Sequence, residues 1–212
     1  SDMFGLPPLA IQFTHDEAFD VEAVTEKFFK AYKEVFEYVE GCITGIASAE
    51  AKRLYAQRLF NRLMFIAFIQ KKGWLKFEGK PDYLTSLWAD YKKKKQDDDN
   101  FYRDRLKLLF FAGLNTSSNV NIVDIDRYGV ISQLIGDIPY LNGGLFEEEK
   151  DDTDSNITVP DKCFGQILDR LFGSFNFTVM ESTPLDVEVA VDPEMLGKIF
   201  ERLVTERQKT GS

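Results

Sequence analysis

From Val21 the apolar positions Val24, Phe28, Phe29, Tyr32, Val35, Phe36 and Val39 recur at helical spacing, with Glu22, Lys27, Lys30, Lys33 and Glu34 between them. That pattern predicts an amphipathic helix ending near Gly41, with Asp16 or Asp20 as its cap. Ser48 is placed to cap a second helix, whose run Leu54, Leu59, Phe60, Leu63, Met64, Phe65, Ile66, Phe68 and Ile69 is apolar on more than one face. Such a helix is expected at the centre of a fold, with Lys71, Lys72 and Gly73 as its ending. After Pro81, the positions Tyr83, Leu84, Leu87, Trp88 and Tyr91 predict a third helix. It runs out into Lys92–Lys95, followed by Asp97–Asp99. A fourth carries Tyr102, Leu106, Leu109, Phe110 and Phe111 and stops at Gly113.

Beyond Asn115 the rhythm weakens. Residues 115–121 read as a loop, Val120–Ile125 as a short strand, and Asn142-Gly143-Gly144 as a tight turn. The acids of 147–155 read as an exposed loop. A helix returns from Asp161 through Phe164, Ile167, Leu168, Leu171 and Phe172. Alternation at Phe175, Phe177 and Val179, and again at Val187, Val189 and Val191, permits two short strands. Pro193 opens a last helix through Leu196, Ile199, Phe200, Leu203 and Val204. The expected fold class is mainly α, a multi-helix domain with minor β structure in residues 120–192. Residues 1–212 read as one domain: a helical bundle over 1–114, a mixed part over 115–192 and a helix over 193–212.

The chain has 212 residues, 44% of them hydrophobic and 19 of them Phe, which suits a globular protein with a Phe-rich interior. Its formal net charge of −9 disfavours autonomous tight binding to phosphate backbones. Only two cysteines, Cys42 and Cys163, are present, well separated along the chain, so no disulfide framework or zinc site is indicated and a reducing cytoplasm fits. No apolar run approaches membrane-spanning length, and no signal peptide is evident.

Little catalytic chemistry is visible. His15 has no nucleophile or metal-binding companion, and no glycine-rich phosphate loop is present. Asp137 with Glu148, Glu149 and Lys150 could in principle supply the carboxylates and lysine of a metal-dependent nuclease. Those residues, however, open an acidic block that more commonly lies in solvent. Lys92, Lys93, Lys94 and Lys95 are candidate contacts to a DNA backbone, with Lys71, Lys72, Arg103 and Arg105 as helpers. No catalytic residue and no metal ligand is assigned.

An ordered series of short segments carries a resemblance. It comprises Phe28-Phe29-Lys30-Ala31-Tyr32, Arg62-Leu63-Met64-Phe65 to Lys72-Gly73-Trp74-Leu75, Pro139-Tyr140-Leu141-Asn142-Gly143-Gly144-Leu145-Phe146, Asn176-Phe177-Thr178-Val179 and Asp192–Glu201. In series these resemble the middle region of type IIG-like restriction-modification enzymes and related phage-defence methyltransferases, which methylate adenine in DNA. The resemblance implies a non-catalytic helical connector between an N-terminal nuclease domain and a methyltransferase domain, with S-adenosylmethionine and Mg²⁺ as cofactors of the parent and none in this segment. It also implies that Thr210, Gly211 and Ser212 begin a cofactor site in the full-length parent. The Asn-Pro-Pro-aromatic motif that holds the target adenine is absent from the segment. Its expected partners are the flanking domains and, through the parent, DNA, with no membrane. The rival readings are a self-contained nuclease using Asp137, Glu148 and Lys150, and a helical protein-interaction module unrelated to DNA.

Overall fold

The computed structural model describes residues 26–115, 129–139 and 144–175. The first helix, α1, is seen over 26–42. It is followed by α2 (Ala49–Lys71) and α3 (Tyr83–Lys94). A fourth helix, α4, spans 101–114 and is π-helical over Tyr102–Leu106 and Leu108–Leu114. Next come α5 (Val130–Ile135), a 3-10 turn (Gly144–Phe146), the single turn α6 (Lys150–Thr153) and α7 (Asp161–Ile167), which continues π-helically as Leu168–Phe172. The fold is mainly α. Among the described residues β structure is limited to isolated antiparallel bridges at Thr44–Thr158, Lys76–Asp137 and Phe77–Lys80. The strands anticipated at 120–125 and 187–191, that at 175–179 apart from Phe175, the Asn142-Gly143 half of the turn and the helix from Pro193 lie outside the described residues. No helix among those described is long and apolar enough to cross a membrane.

The helices form where local chemistry directs. The Ser48 hydroxyl accepts the Ala51 N–H at 3.3 Å and caps α2. At the other end Gly73 N–H reaches the Gln70 carbonyl and Trp74 N–H the Ile69 carbonyl, the paired bonds of a Schellman ending, with Gly73 at φ +73°. Between them α2 buries Tyr55, Ala56, Leu59, Phe60, Leu63, Met64 and Ile66–Ile69, so it is central, as its pattern requires. The Phe60 ring lies 5.2 Å, edge-on, from both Tyr32 and Phe36 of α1. Phe101 of α4 stands 5.2 Å from Phe164 of α7 and 4.8 Å from Trp88 of α3. One continuous apolar cluster thus joins all the longer helices.

The π-helical α4 buries a pattern with a period of four. Its buried positions are Phe101/Tyr102, Arg105/Leu106, Leu109/Phe110 and Gly113/Leu114, a repeat of four residues. In an α-helix four residues turn about 40° too far, so three repeats would carry the last pair about 120° off the core face. Widening the turn beyond 3.6 residues opposes that drift, and all four pairs are buried.

One segment differs from its reading as loop, and another, to which no element was assigned, is helical. Residues 130–135 are helical, held because the Tyr83 hydroxyl donates to the Ile135 carbonyl at 2.6 Å. Gly136 then turns the chain at φ +77°, and any Cβ there would lie 2.5 Å from the Lys76 carbonyl oxygen. The acidic block contains α6, and Asp152 within it is buried. Solvation of a charge run is the usual outcome, but here a buried cation draws one carboxylate inward.

Candidate functional site

That cation is Arg62, which occupies the buried face of α2 amid Leu59, Leu63 and Ile66. Its guanidinium meets Asp152 in a fork, Nη1 to Oδ1 and Nη2 to Oδ2, both at 3.0 Å. Nε donates to the Leu145 carbonyl and Nη2 also to the Glu147 carbonyl, each at 2.9 Å. The two side chains are 2% and 1% exposed. The guanidinium also lies 4.9 Å from the centroid of the Phe111 ring. One side chain therefore fastens the whole 145–152 segment onto α2.

Around Asp152 the polar groups are linked. Glu149 N–H donates to Asp152 Oδ2 at 3.1 Å. The Tyr55 hydroxyl donates to the Tyr102 oxygen at 2.8 Å, and Tyr102 makes a long 3.5 Å contact with Asp152 Oδ1. Burial works to raise the Asp152 carboxyl, but the bonds from Arg62 and the Glu149 N–H outweigh it and hold the group below the usual carboxylate range. Burial, only partly offset by the bond to Tyr102, pushes Tyr55 up to about 12. Arg58 extends the network outward to Glu149 at 3.2 Å and Asp151 at 3.4 Å. Among the described residues these groups bond chiefly to one another, with Arg58 Nε buried and unpaired.

A second polar focus is Asp161, at the first turn of α7. It accepts from the Tyr91 hydroxyl at 2.8 Å, from Phe101 N–H at 2.9 Å and from Lys95 Nζ at 2.7 Å. It therefore ties α3, α4 and α7 together. The candidate DNA contacts Lys92, Lys93, Lys94 and Lys95 are all exposed, but they are unequally engaged. Lys95 is bound to Asp161, Lys94 pairs with Asp90 at 2.7 Å, and the Lys92 ammonium lies 5.3 Å from the Trp88 ring centroid. Of their supposed helpers, Arg105 is buried against Asp90 and Arg103 is bound to Asp104, while Lys71 and Lys72 stay at the surface.

The residues weighed for a nuclease are placed as follows. Asp137 pairs by its backbone with Lys76, Glu148 is exposed, and Lys150 is the first residue of α6. Among the described residues no group of three or more His, Cys, Asp or Glu side chains is arranged to hold a metal ion. Thr210, Gly211, Ser212 and His15 lie outside the described residues. Cys42 and Cys163, distant in sequence, are neighbours in space. The Cys163 thiol is pushed up to about 12 by burial first and then by Cys42. The Thr44–Thr158 bridge, with N···O distances of 3.1 and 3.2 Å, holds the end of α1 beside the start of α7.

Sequence reasoning did not single out Arg62 or Asp152 as partners. The available signal was an arginine inside the apolar run of a central helix, since a cation buried there demands a counter-charge.

With the class of the chain defined as a mainly α body held by internal ion pairs, comparison with known proteins adds a relationship. It is 33% identical over 154 residues to a Methanocaldococcus jannaschii protein named "Putative type II restriction enzyme and methyltransferase". The match takes in 72% of this chain but only 12% of that relative's length. The chain is thus related to restriction-modification proteins and spans a small part of such a protein. No family model matches it, and no solved structure matches it.

Proposed function

We propose that this chain is the helical connector of a bifunctional restriction-modification protein of the type IIG kind, holding a nuclease domain and an adenine methyltransferase domain at fixed separation. The supporting observation is that 154 residues of this chain match a relative about eight times longer than the match. Physically, a spacer must resist bending. Here an apolar cluster runs from Phe28 to Leu171, and buried ion pairs knit distant segments together. S-adenosylmethionine and Mg²⁺ would then serve the flanking domains, and DNA would be the substrate of the whole.

The test is made in the full-length parent. Replacing residues 26–175 by a flexible Gly/Ser linker of equal length should leave methylation of DNA largely intact while the position of cleavage, relative to the methylated site, becomes scattered. Cleavage at an unaltered position would overturn the connector reading. So would Mg²⁺-dependent cleavage by residues 1–212 alone that is lost on Glu148→Ala.

A further inference from the structure

The surface between α2 and α3 departs from the rest of the molecule in charge. Residues 71–80 contain four lysines and one glutamate, a local +3 in a chain of net charge −9, so the remainder carries −12. They also form a defined object. The Schellman ending at Gly73 fixes one end. At the other, Phe77 and Lys80 exchange backbone hydrogen bonds of 3.3 and 2.9 Å around Glu78 and Gly79, at φ +50° and +77°. Two successive positive φ values make this a type I′ hairpin turn, and Glu78 adopts there a conformation uncommon for a residue with a Cβ.

Between these ends the chain alternates. Leu75 and Phe77 are 0% and 2% exposed and anchor the segment, whereas Trp74 and Lys76 face outward. Trp74 is 56% exposed. It occupies the position after the glycine in the Schellman motif, where an apolar side chain ordinarily folds back onto the helix. Among the described residues Lys71, Lys76 and Lys80 carry no ion pair, in contrast to Lys94 and Lys95.

We propose that this turn is a docking surface for the sugar–phosphate backbone of duplex DNA. Lys71, Lys76 and Lys80 neutralise phosphates, and the Trp74 ring lies against the sugar edge. The inference rests on the reading that the parent works on DNA, and it moves the expected contact from Lys92–Lys95 to the 71–80 turn. Charge decides between the two. Lys94 and Lys95 already have carboxylate partners and are followed by Asp97–Asp99. The turn instead offers the unpaired ammonium groups of Lys71, Lys76 and Lys80 on an ordered backbone, so binding costs little backbone conformational entropy.

The chain's two tryptophans make the test direct. In a Trp88→Phe variant of the 212-residue chain, Trp74 reports alone. Adding a short mixed-sequence duplex at low salt should shift or quench its emission. By anisotropy, Lys76→Glu/Lys80→Glu should weaken binding about tenfold or more and lower the log–log salt slope by about 2. Trp74→Ala should weaken it by a smaller factor, and Lys92→Glu/Lys93→Glu should do less than the Lys76/Lys80 reversal. Trp74, Lys76, Lys80, Lys92 and Lys93 are exposed, and Trp88→Phe keeps an aromatic ring at its half-buried position; circular dichroism checks the fold of every variant.

An unmoved Trp74 signal, or a Lys92/Lys93 effect equal to or larger than that of Lys76/Lys80, would overturn the proposal while leaving the connector reading intact. Protection of Trp74 from acrylamide in the full-length parent without DNA would overturn it differently, because a flanking domain would then cover this surface. Failure of the linker replacement to scatter cleavage would count against the connector alone.

Discussion

Replacing Arg62 by Met keeps most of the side chain's length and apolar stem and deletes only the guanidinium. Four hydrogen bonds disappear: two to Asp152 and one each to the Leu145 and Glu147 carbonyls. The Asp152 carboxylate, 1% exposed, is left without its cation. Breaking a buried pair from one side costs about 3–5 kcal/mol, because the surviving charge stays desolvated. For a chain of this size that lowers the melting temperature by about 6–20 °C.

Urea denaturation followed by far-UV circular dichroism would show it as a lower midpoint with an unchanged slope. Adding Asp152→Leu to Arg62→Met should recover about 2 kcal/mol, leaving the cost of two orphaned carbonyls. The sign of the pH dependence is fixed by the direction of the Asp152 shift. Its folded value lies below its unfolded value, so the pair's contribution is complete above about pH 5 and fades as the pH falls through and below about 4. The gap between wild type and Asp152→Asn should therefore narrow in acid. A loss for Arg62→Met below about 1 kcal/mol at neutral pH, the range of solvated surface pairs, would refute the clamp.

Gly45→Ala should lower the melting temperature by several degrees, since φ is +87° and the new Cβ would sit 2.2 Å from the Asn156 carbonyl oxygen, disrupting the adjoining Thr44–Thr158 bridge; differential scanning calorimetry showing no change would count against that contact. Asp161→Ala removes the acceptor shared by Tyr91, Phe101 N–H and Lys95, and should cost about 1–3 kcal/mol in the same urea assay, whereas Lys95→Ala should cost less than 1. In native protein at about pH 8, a thiol reagent such as dithiobis-nitrobenzoate should label Cys42 before Cys163, whose raised pKa leaves very little thiolate; mass spectrometry finding Cys163 modified first would contradict its burial.

Much of the helical framework was readable along the chain. Ser48 caps α2 and Gly73 ends it, the Tyr83–Tyr91 spacing became α3, and the run from Asp161 became α7. The candidate site was less readable. Arg62 and Asp152 stand 90 positions apart, and the acid sits in a block whose ordinary fate is solvent. The Lys92–Lys95 run looks uniform in sequence, yet Lys95 is bound to Asp161, 66 positions away, while Lys93 stays at the surface. The outward tryptophan of the 71–80 turn carried no marker, because a Trp next to Leu75 reads as core.

By itself the sequence determined the class of fold and most helix boundaries, because helices are written in contacts three or four residues apart and in caps that act within a single turn. Tertiary structure alone decided which carboxylate enters the core, which lysines are already bound, and that α4 is π-helical where it buries its four-residue repeat. Those outcomes depend on distance through space and on the exclusion of water, and neither follows from spacing along the chain.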